Sequence, residues 1–218
     1  MPSCARRSST SWRPSSPVLE ASGLTCERGG RTLFRALSFS LAPGAALRVA
    51  GANGSGKTSL LRILCGLLAP GAGQVRWRGT PIESLREDYA RQLVYLGHAP
   101  AVKGELTAAE NLSIACRLAG VAAGPAQVGA ALGHFGLAAA GVAVKKLSQG
   151  QRRRAALARL ALATVPVWLL DEPFAALDAG GVALLNALFA QQLARGGAIV
   201  FTTHQDPGIA ATQVLELG

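Results

Sequence analysis

The sequence is poor in the features that mark several protein classes. Its four cysteines, Cys4, Cys26, Cys65 and Cys116, lie far apart and show no C-x-x-C spacing. A disulfide framework and a cysteine zinc site are thereby excluded, and a reducing compartment fits best. Long apolar runs are also missing. The longest uncharged stretch, Leu118 to Val144, is mostly alanine and glycine, is interrupted by Pro125, Gln127 and His134, and is too weakly apolar to span a bilayer. Membrane association is therefore expected only through a partner. Residues 1–17 contain no acid and lack the apolar segment of a secretory signal. Rich in Ser, Arg and Pro, they read as a disordered basic tail or as the product of a start placed too early, although a mitochondrial transit peptide has a similar composition. Acid is scarce throughout, with 12 Asp and Glu against 22 Lys and Arg, for a net charge of +10. Such a balance suits nucleic acid, an anionic surface or phosphate-rich ligands. An alanine- and arginine-rich composition from a GC-rich genome produces it equally well, and no basic low-complexity block favours nucleic acid.

Half of the 218 residues are hydrophobic, enough for one substantial core. From Val18 onward, strand-like runs fall at Leu33–Leu41, Leu47–Ala50, Val75–Arg78, Leu93–Leu96, Val167–Leu170, Ile199–Thr202 and Val214–Leu217. A helix is expected over about Lys57–Leu67, and the stretch from about 99 to 146 reads as a helical lobe. This order predicts a single α/β domain over residues 18–218, a sheet core carrying a helical subdomain.

Gly51-Ala52-Asn53-Gly54-Ser55-Gly56-Lys57-Thr58 matches the P-loop pattern and stands between a strand and a helix, as that motif requires. Its glycines let backbone N–H groups, continued by Ser59 at the helix start, turn around phosphate oxygens, and the helix dipole favours the anion. Lys57 is placed for the terminal phosphates and the Thr58 hydroxyl for Mg²⁺. A chance match in a chain of this length occurs about once in a hundred. Asp171 and Glu172 follow the apolar run Val167–Leu170, at the strand end where parallel sheets bind ligands. Two carboxylates ending a strand are ordinarily just solvated. Behind a P-loop they read as a Mg²⁺-holding aspartate and a general base.

Leu147-Ser148-Gln149-Gly150-Gln151 lies upstream of Asp171 and opens a basic helix, Arg152 to Leu162. It resembles the signature motif of ABC transporter ATPases, whose usual form is L-S-G-G-Q. Ala176-Leu177-Asp178 is similar to that family's D-loop, and His204 to its switch histidine. Singly, these are an N-capped helix start, a turn and a strand-end histidine. In order along one chain, they identify it as a member of the family. The resemblance implies a P-loop NTPase (RecA-like) core with an N-terminal antiparallel β subdomain and a helical subdomain. It also implies hydrolysis of MgATP in a head-to-tail homodimer, with Glu172 and His204 catalytic. Ser148, Gln149, Gly150 and Gln151 would then reach the partner's ATP in trans, beside Asp178.

The sequence departs from the family pattern at three places. Gln149 replaces a signature glycine. Arg28 stands where an adenine-stacking aromatic is usual, and its guanidinium plane can stack on a base. His98 replaces the Q-loop glutamine and is expected to take over its link between the nucleotide and the membrane subunit. That residue, with Leu24-Thr-Cys-Glu27-Arg28, Arg31-Thr-Leu-Phe34, Tyr95-Leu-Gly-His98, Glu105-Leu-Thr-Ala-Ala-Glu110-Asn111-Leu112 and Trp168-Leu-Leu-Asp-Glu-Pro-Phe174, resembles the ATP-binding subunits of bacterial heme exporters used in cytochrome c maturation. The resemblance implies integral membrane partner subunits, a peripheral place on the cytoplasmic face of the inner membrane and an indirect link to heme-handling proteins. The alternatives are the ATPase of another small transporter and a non-transport ABC ATPase acting on nucleic acid. A non-hydrolysing module is disfavoured by the presence of Lys57, Asp171, Glu172 and His204.

Overall fold

The computed structural model describes residues 17–137, 141–204, 208 and 211–218. All of the expected basic tail except Pro17 lies outside the described residues.

Two sheets organise the chain. The first is antiparallel, in the order β2-β1-β4-β5, from β1 (Leu19–Arg28), β2 (Arg31–Leu41), β4 (Ala72–Trp77) and the short β5 (Thr80–Pro81). The second is parallel, in the order β6-β7-β8-β3-β9, from β3 (Ala46–Gly51), β6 (Leu93–Leu96), β7 (Val167–Leu170), β8 (Ala198–Thr202) and β9 (Gln213–Leu217). Helix α1 (Lys57–Leu64) follows β3 directly, and the one-turn helices α2 (Ile82–Leu85) and α3 (Glu87–Ala90) lead into β6. The expected helical lobe contains α4 (Ala108–Leu118) and α5 (Pro125–His134). Helices α6 (Gln149–Leu157) and α7 (Ala179–Ala194) flank β7 in sequence.

The central parallel strands β7 and β8 carry little polar alternation because both of their faces are covered. On β7, Val167 and Leu169 pack into one core with α1 and the antiparallel sheet, whereas Trp168 and Leu170 pack into the other with α4 to α7. Likewise on β8, Ala198 and Val200 face one way, Ile199 and Phe201 the other. Both strands are buried at every residue. Phe174, just beyond β7, meets Phe189 of α7 edge-to-face at 5.7 Å, and Phe189 meets Phe201 at 5.5 Å. Contacts of this kind are worth about 0.5–1.5 kcal/mol each beyond area burial. They anchor the segment after β7, so the carboxylates preceding Phe174 are held by a packed aromatic rather than by a free loop.

The structure differs from the sequence expectation chiefly in three elements, and β4 also starts earlier, at Ala72 instead of Val75. The strand β1 was not expected, since its apolar phase breaks. Leu19 and Ala21 are buried, and then Leu24 and Cys26, with register shifts against β2 around Gly23, whose φ is +62°. A bulge of this kind returns the same face to the core after an extra residue. Helix α1 ends at Leu64, short of the expected Leu67, because Gly66 takes a positive φ of 76° and closes the turn. The basic helix begins at Gln149 instead of Arg152 and gives way to a 3₁₀ turn at Ala158–Ala161.

Candidate active site

A cleft of about 620 Å³ opens at the C-terminal ends of the parallel strands, lined by P-loop residues, His98, Asp171, Glu172, Thr203 and His204 among others. Strand order explains the place. β3, β7 and β8 are neighbours although distant in sequence, so the segments following them converge on one edge.

The P-loop leaves β3 at Gly51 and enters α1 at Gly56, two positions with no room for a side chain. A Cβ on Gly51 would stand 2.2 Å from the Leu217 carbonyl oxygen. Gly56, at φ +105°, caps α1, and a Cβ there would meet Leu33 and Phe34 at 3.1 Å. Lys57 is buried, its ammonium folded over the loop and donating to Gly51 O at 2.7 Å and Ala52 O at 2.9 Å. Ala52, Asn53 and Gly54 form the exposed lip, and the Ser55 Oγ beneath is buried without a hydrogen-bond partner. Ser59 is buried in the first turn. The loop thus presents backbone donors, an ammonium and a helix N-terminus to one volume, a setting suited to polyphosphate.

Thr58 Oγ1 donates to Asp171 Oδ2 at 2.7 Å, which joins the P-loop helix to the end of β7. The other carboxylate oxygen, Oδ1, accepts from Thr202 Oγ1 at 2.8 Å, and that same hydroxyl accepts from the Glu172 N–H at 2.8 Å. Hydroxyl and carboxylate oxygens this close form a hard donor set of the kind Mg²⁺ selects, with phosphate oxygens completing the shell. The residues present therefore fit the metal that accompanies ATP.

Glu172 is held in an uncommon backbone state, φ +50°, which for a non-glycine residue costs about 1–3 kcal/mol and persists where surroundings enforce it. Its side chain is 14% exposed, and Oε1 is buried without a hydrogen bond. His204 Nε2 lies 3.2 Å from that oxygen, near enough to pair with it when protonated, but not in hydrogen-bond alignment. A carboxylate held at the cleft wall in this way is chemically suited to take a proton from a bound water.

The remaining predicted residues fall in four places. His98 lines the cleft with an exposed side chain. Ser148, Gln149, Gly150 and Gln151 lie outside the cleft lining, at the start of α6. There Ser148 Oγ accepts from Gln151 N at 3.2 Å and Gln151 Oε1 from Ser148 N at 2.9 Å, a reciprocal capping box. A Cβ on Gly150 would stand 2.9 Å from the Ala176 carbonyl oxygen, so the signature loop packs on the D-loop backbone. Asp178 caps α7 through Gly181 N at 2.8 Å and approaches Arg154 at 3.8 Å. Arg28 is exposed at the β1–β2 turn and does not line the cleft, where Leu33 from the following strand stands instead.

Three residues of the site escaped the sequence reading. Thr202 ends β8 and Thr203 follows it, and nothing local distinguishes them. Arg153 looked like one more charge on a basic helix. Its signal was legible in principle, because it shares a helical face with Ala156 and Leu157, which are buried. Arg153 is 4% exposed and donates to the carbonyls of Gly97, His98, Asp171 and Glu172.

Residues 34–175 match the family model described as ABC transporter. The chain is 52% identical over 206 residues to the cytochrome c biogenesis ATP-binding export protein CcmA of Aromatoleum aromaticum, covering 93% of this chain and 96% of that one. It is 48% identical to the protein of the same name from Nitrosospira multiformis, covering 92% and 98%. Among solved structures, an ATP-binding subunit of an ABC transporter superposes with a TM-score of 0.77 at 25% identity, covering 86% of this chain and 79% of the other. An ABC transporter ATP-binding protein from Pyrococcus furiosus gives 0.79 at 22% identity, covering 91% and 96%, and speaks to the fold alone.

Proposed function

The chain belongs to the ABC transporter family of ATP-binding proteins, and from that premise we infer that its cleft binds MgATP and hydrolyses it for an exporter acting in cytochrome c biogenesis. The observation that carries the reading is the convergence of Lys57, Thr58, Asp171, Glu172 and His204 on one cleft from separate segments of the chain. Backbone N–H groups of 51–58 and the Lys57 ammonium hold the phosphates. Thr58 and Asp171 supply oxygens to the magnesium ion, whose charge stabilises the phosphates as their negative charge builds. Glu172 accepts the proton of the attacking water on its carboxylate. His204, half exposed and 3.2 Å away, orients that carboxylate and contacts the terminal phosphate.

The cleft is open on one side, and the signature residues of the same chain do not line it. We therefore read Ser148 and Gly150 as acting on a second subunit's ATP in a head-to-tail homodimer, where the N-terminus of α6 adds donors to the same anion. Gln149 is exposed on the first turn, so its side chain does not obstruct that approach. Among the described residues no helix is long and apolar enough to cross a membrane. Separate integral membrane subunits complete the transporter, with this subunit on their cytoplasmic face, and the motif resemblance favours heme as the cargo.

Glu172→Gln tests the reading. It should leave MgATP binding intact and lower hydrolysis by about a hundredfold or more, the usual worth of a positioned base. Hydrolysis at the wild-type rate in a variant that still binds nucleotide would remove Glu172 from the chemistry.

A further inference from the structure

Arginines this deeply buried normally face a carboxylate. The hydrogen bonds of Arg153 go elsewhere. Nη1 donates to Gly97 O at 3.0 Å and His98 O at 3.3 Å, and Nη2 to Asp171 O at 2.7 Å and Glu172 O at 2.6 Å. The first pair of acceptors continues β6 and the second continues β7, at the strand ends that border the cleft. Its neighbours on α6 do different work. Arg152 bonds the carbonyls of Val144, Lys145 and Leu147 in the preceding turn, and Arg154 approaches Asp178.

The peptide after Asp171 needs such a hold. Glu172 sits at φ +50°, a conformation that relaxes unless its flanking groups are tied. Its N–H is tied to Thr202 Oγ1 at 2.8 Å, and its carbonyl oxygen accepts from Arg153 and, at 3.1 Å, from Ala175 N. A fork with fixed geometry can bind carbonyls of two chain segments at once, which a single ammonium cannot. Burial lowers the pKa of this guanidinium, and the charges of Asp171 and Glu172 draw it back up, so the cation belongs electrostatically to the acidic pair.

We propose that Arg153 is a positioning residue for ATP hydrolysis: from the signature helix it clamps the main chain of Asp171–Glu172 and of Gly97–His98 into one unit, and so aims the Glu172 carboxylate. The proposal rests on reading Glu172 as the base. It predicts a split between binding and turnover, because Arg153 donates to no P-loop residue and the Asp171 carboxylate keeps its own bonds from Thr58 and Thr202.

The test uses the full chain, co-purified from membranes with its transporter partners, as wild type, Arg153→Gln, Arg153→Lys and Glu172→Gln. In Arg153→Gln, KM for MgATP should stay within about threefold while kcat falls about tenfold or more, the scale expected from a small misplacement of a reacting group. Arg153→Lys, with charge but no fork, should recover part of kcat at unchanged KM. If Arg153→Gln fails to fold, Arg153→Lys decides alone, again by a lowered kcat at constant KM. Wild-type kcat in either folded variant overturns the proposal. So does a loss of kcat that merely follows the folded fraction measured by thermal melting. If Glu172→Gln hydrolyses like wild type, the reading of the base fails whatever Arg153 does. If Glu172→Gln is inactive and the Arg153 variants are normal, only the clamp fails.

Discussion

Replacing Thr202 by valine removes one hydroxyl and little volume, yet that hydroxyl serves both acidic residues. Thr202 is fully buried, donates to Asp171 Oδ1 and accepts from the Glu172 N–H, each at 2.8 Å. Losing a hydrogen bond to a carboxylate costs about 1.5–3 kcal/mol, and stranding a buried N–H costs about 1–3 kcal/mol more. Two offsets apply. The added methyl gains roughly 0.8 kcal/mol from burial. Asp171 also keeps its second bond, from Thr58. A net loss of about 2–5 kcal/mol remains. For a domain of this size that lowers the melting temperature by about 4–20 °C. Turnover should fall about tenfold or more, since the backbone of Glu172 loses its anchor. Thr202→Ser keeps the hydroxyl and loses a methyl, so it should cost about 1 kcal/mol and retain most activity. The assay is a thermal melt of each variant together with ATP turnover. A valine variant that melts within about 2 °C of wild type and turns over normally would refute the argument. Equal damage from serine would show that packing, and not the hydroxyl, matters at this position.

Gly56→Ala should lose nucleotide binding and about 1–3 kcal/mol of stability, because its φ of +105° is strained for any side chain and the new Cβ would press on Leu33 and Phe34; nucleotide titration and a urea melt check this. His98→Gln should keep partner-stimulated hydrolysis, because an amide donates and accepts as a neutral imidazole does. His98→Ala should fold and bind ATP but lose most of that stimulation, and full stimulated turnover in this variant would leave His98 without a role in coupling.

Local chemistry made much of this protein legible before any coordinates. The P-loop needs its glycines, lysine and threonine in consecutive positions, because one turn of backbone must wrap a phosphate, so the whole cradle is written in a single stretch. β6 and β7 fall at the residues expected, Leu93–Leu96 and Val167–Leu170, since short apolar runs bounded by polar residues suffice to mark buried strands. The signature and acidic motifs were found for the same reason, each being local and in order. What is not local was hidden. β1 escaped because a bulge at Gly23 shifts its apolar phase, and only pairing with β2 and β4 restores it. Thr202 and Arg153 come within hydrogen-bond reach of Asp171 and Glu172 across separations of 31 and 18 residues respectively, or one position either side. Those contacts exist because parallel strand order makes β7 and β8 neighbours and because α6 lies beside the ends of β6 and β7. A motif records which groups are present. Where a hydroxyl or a guanidinium meets a backbone carbonyl is decided by packing between segments that carry no sequence signal of their meeting.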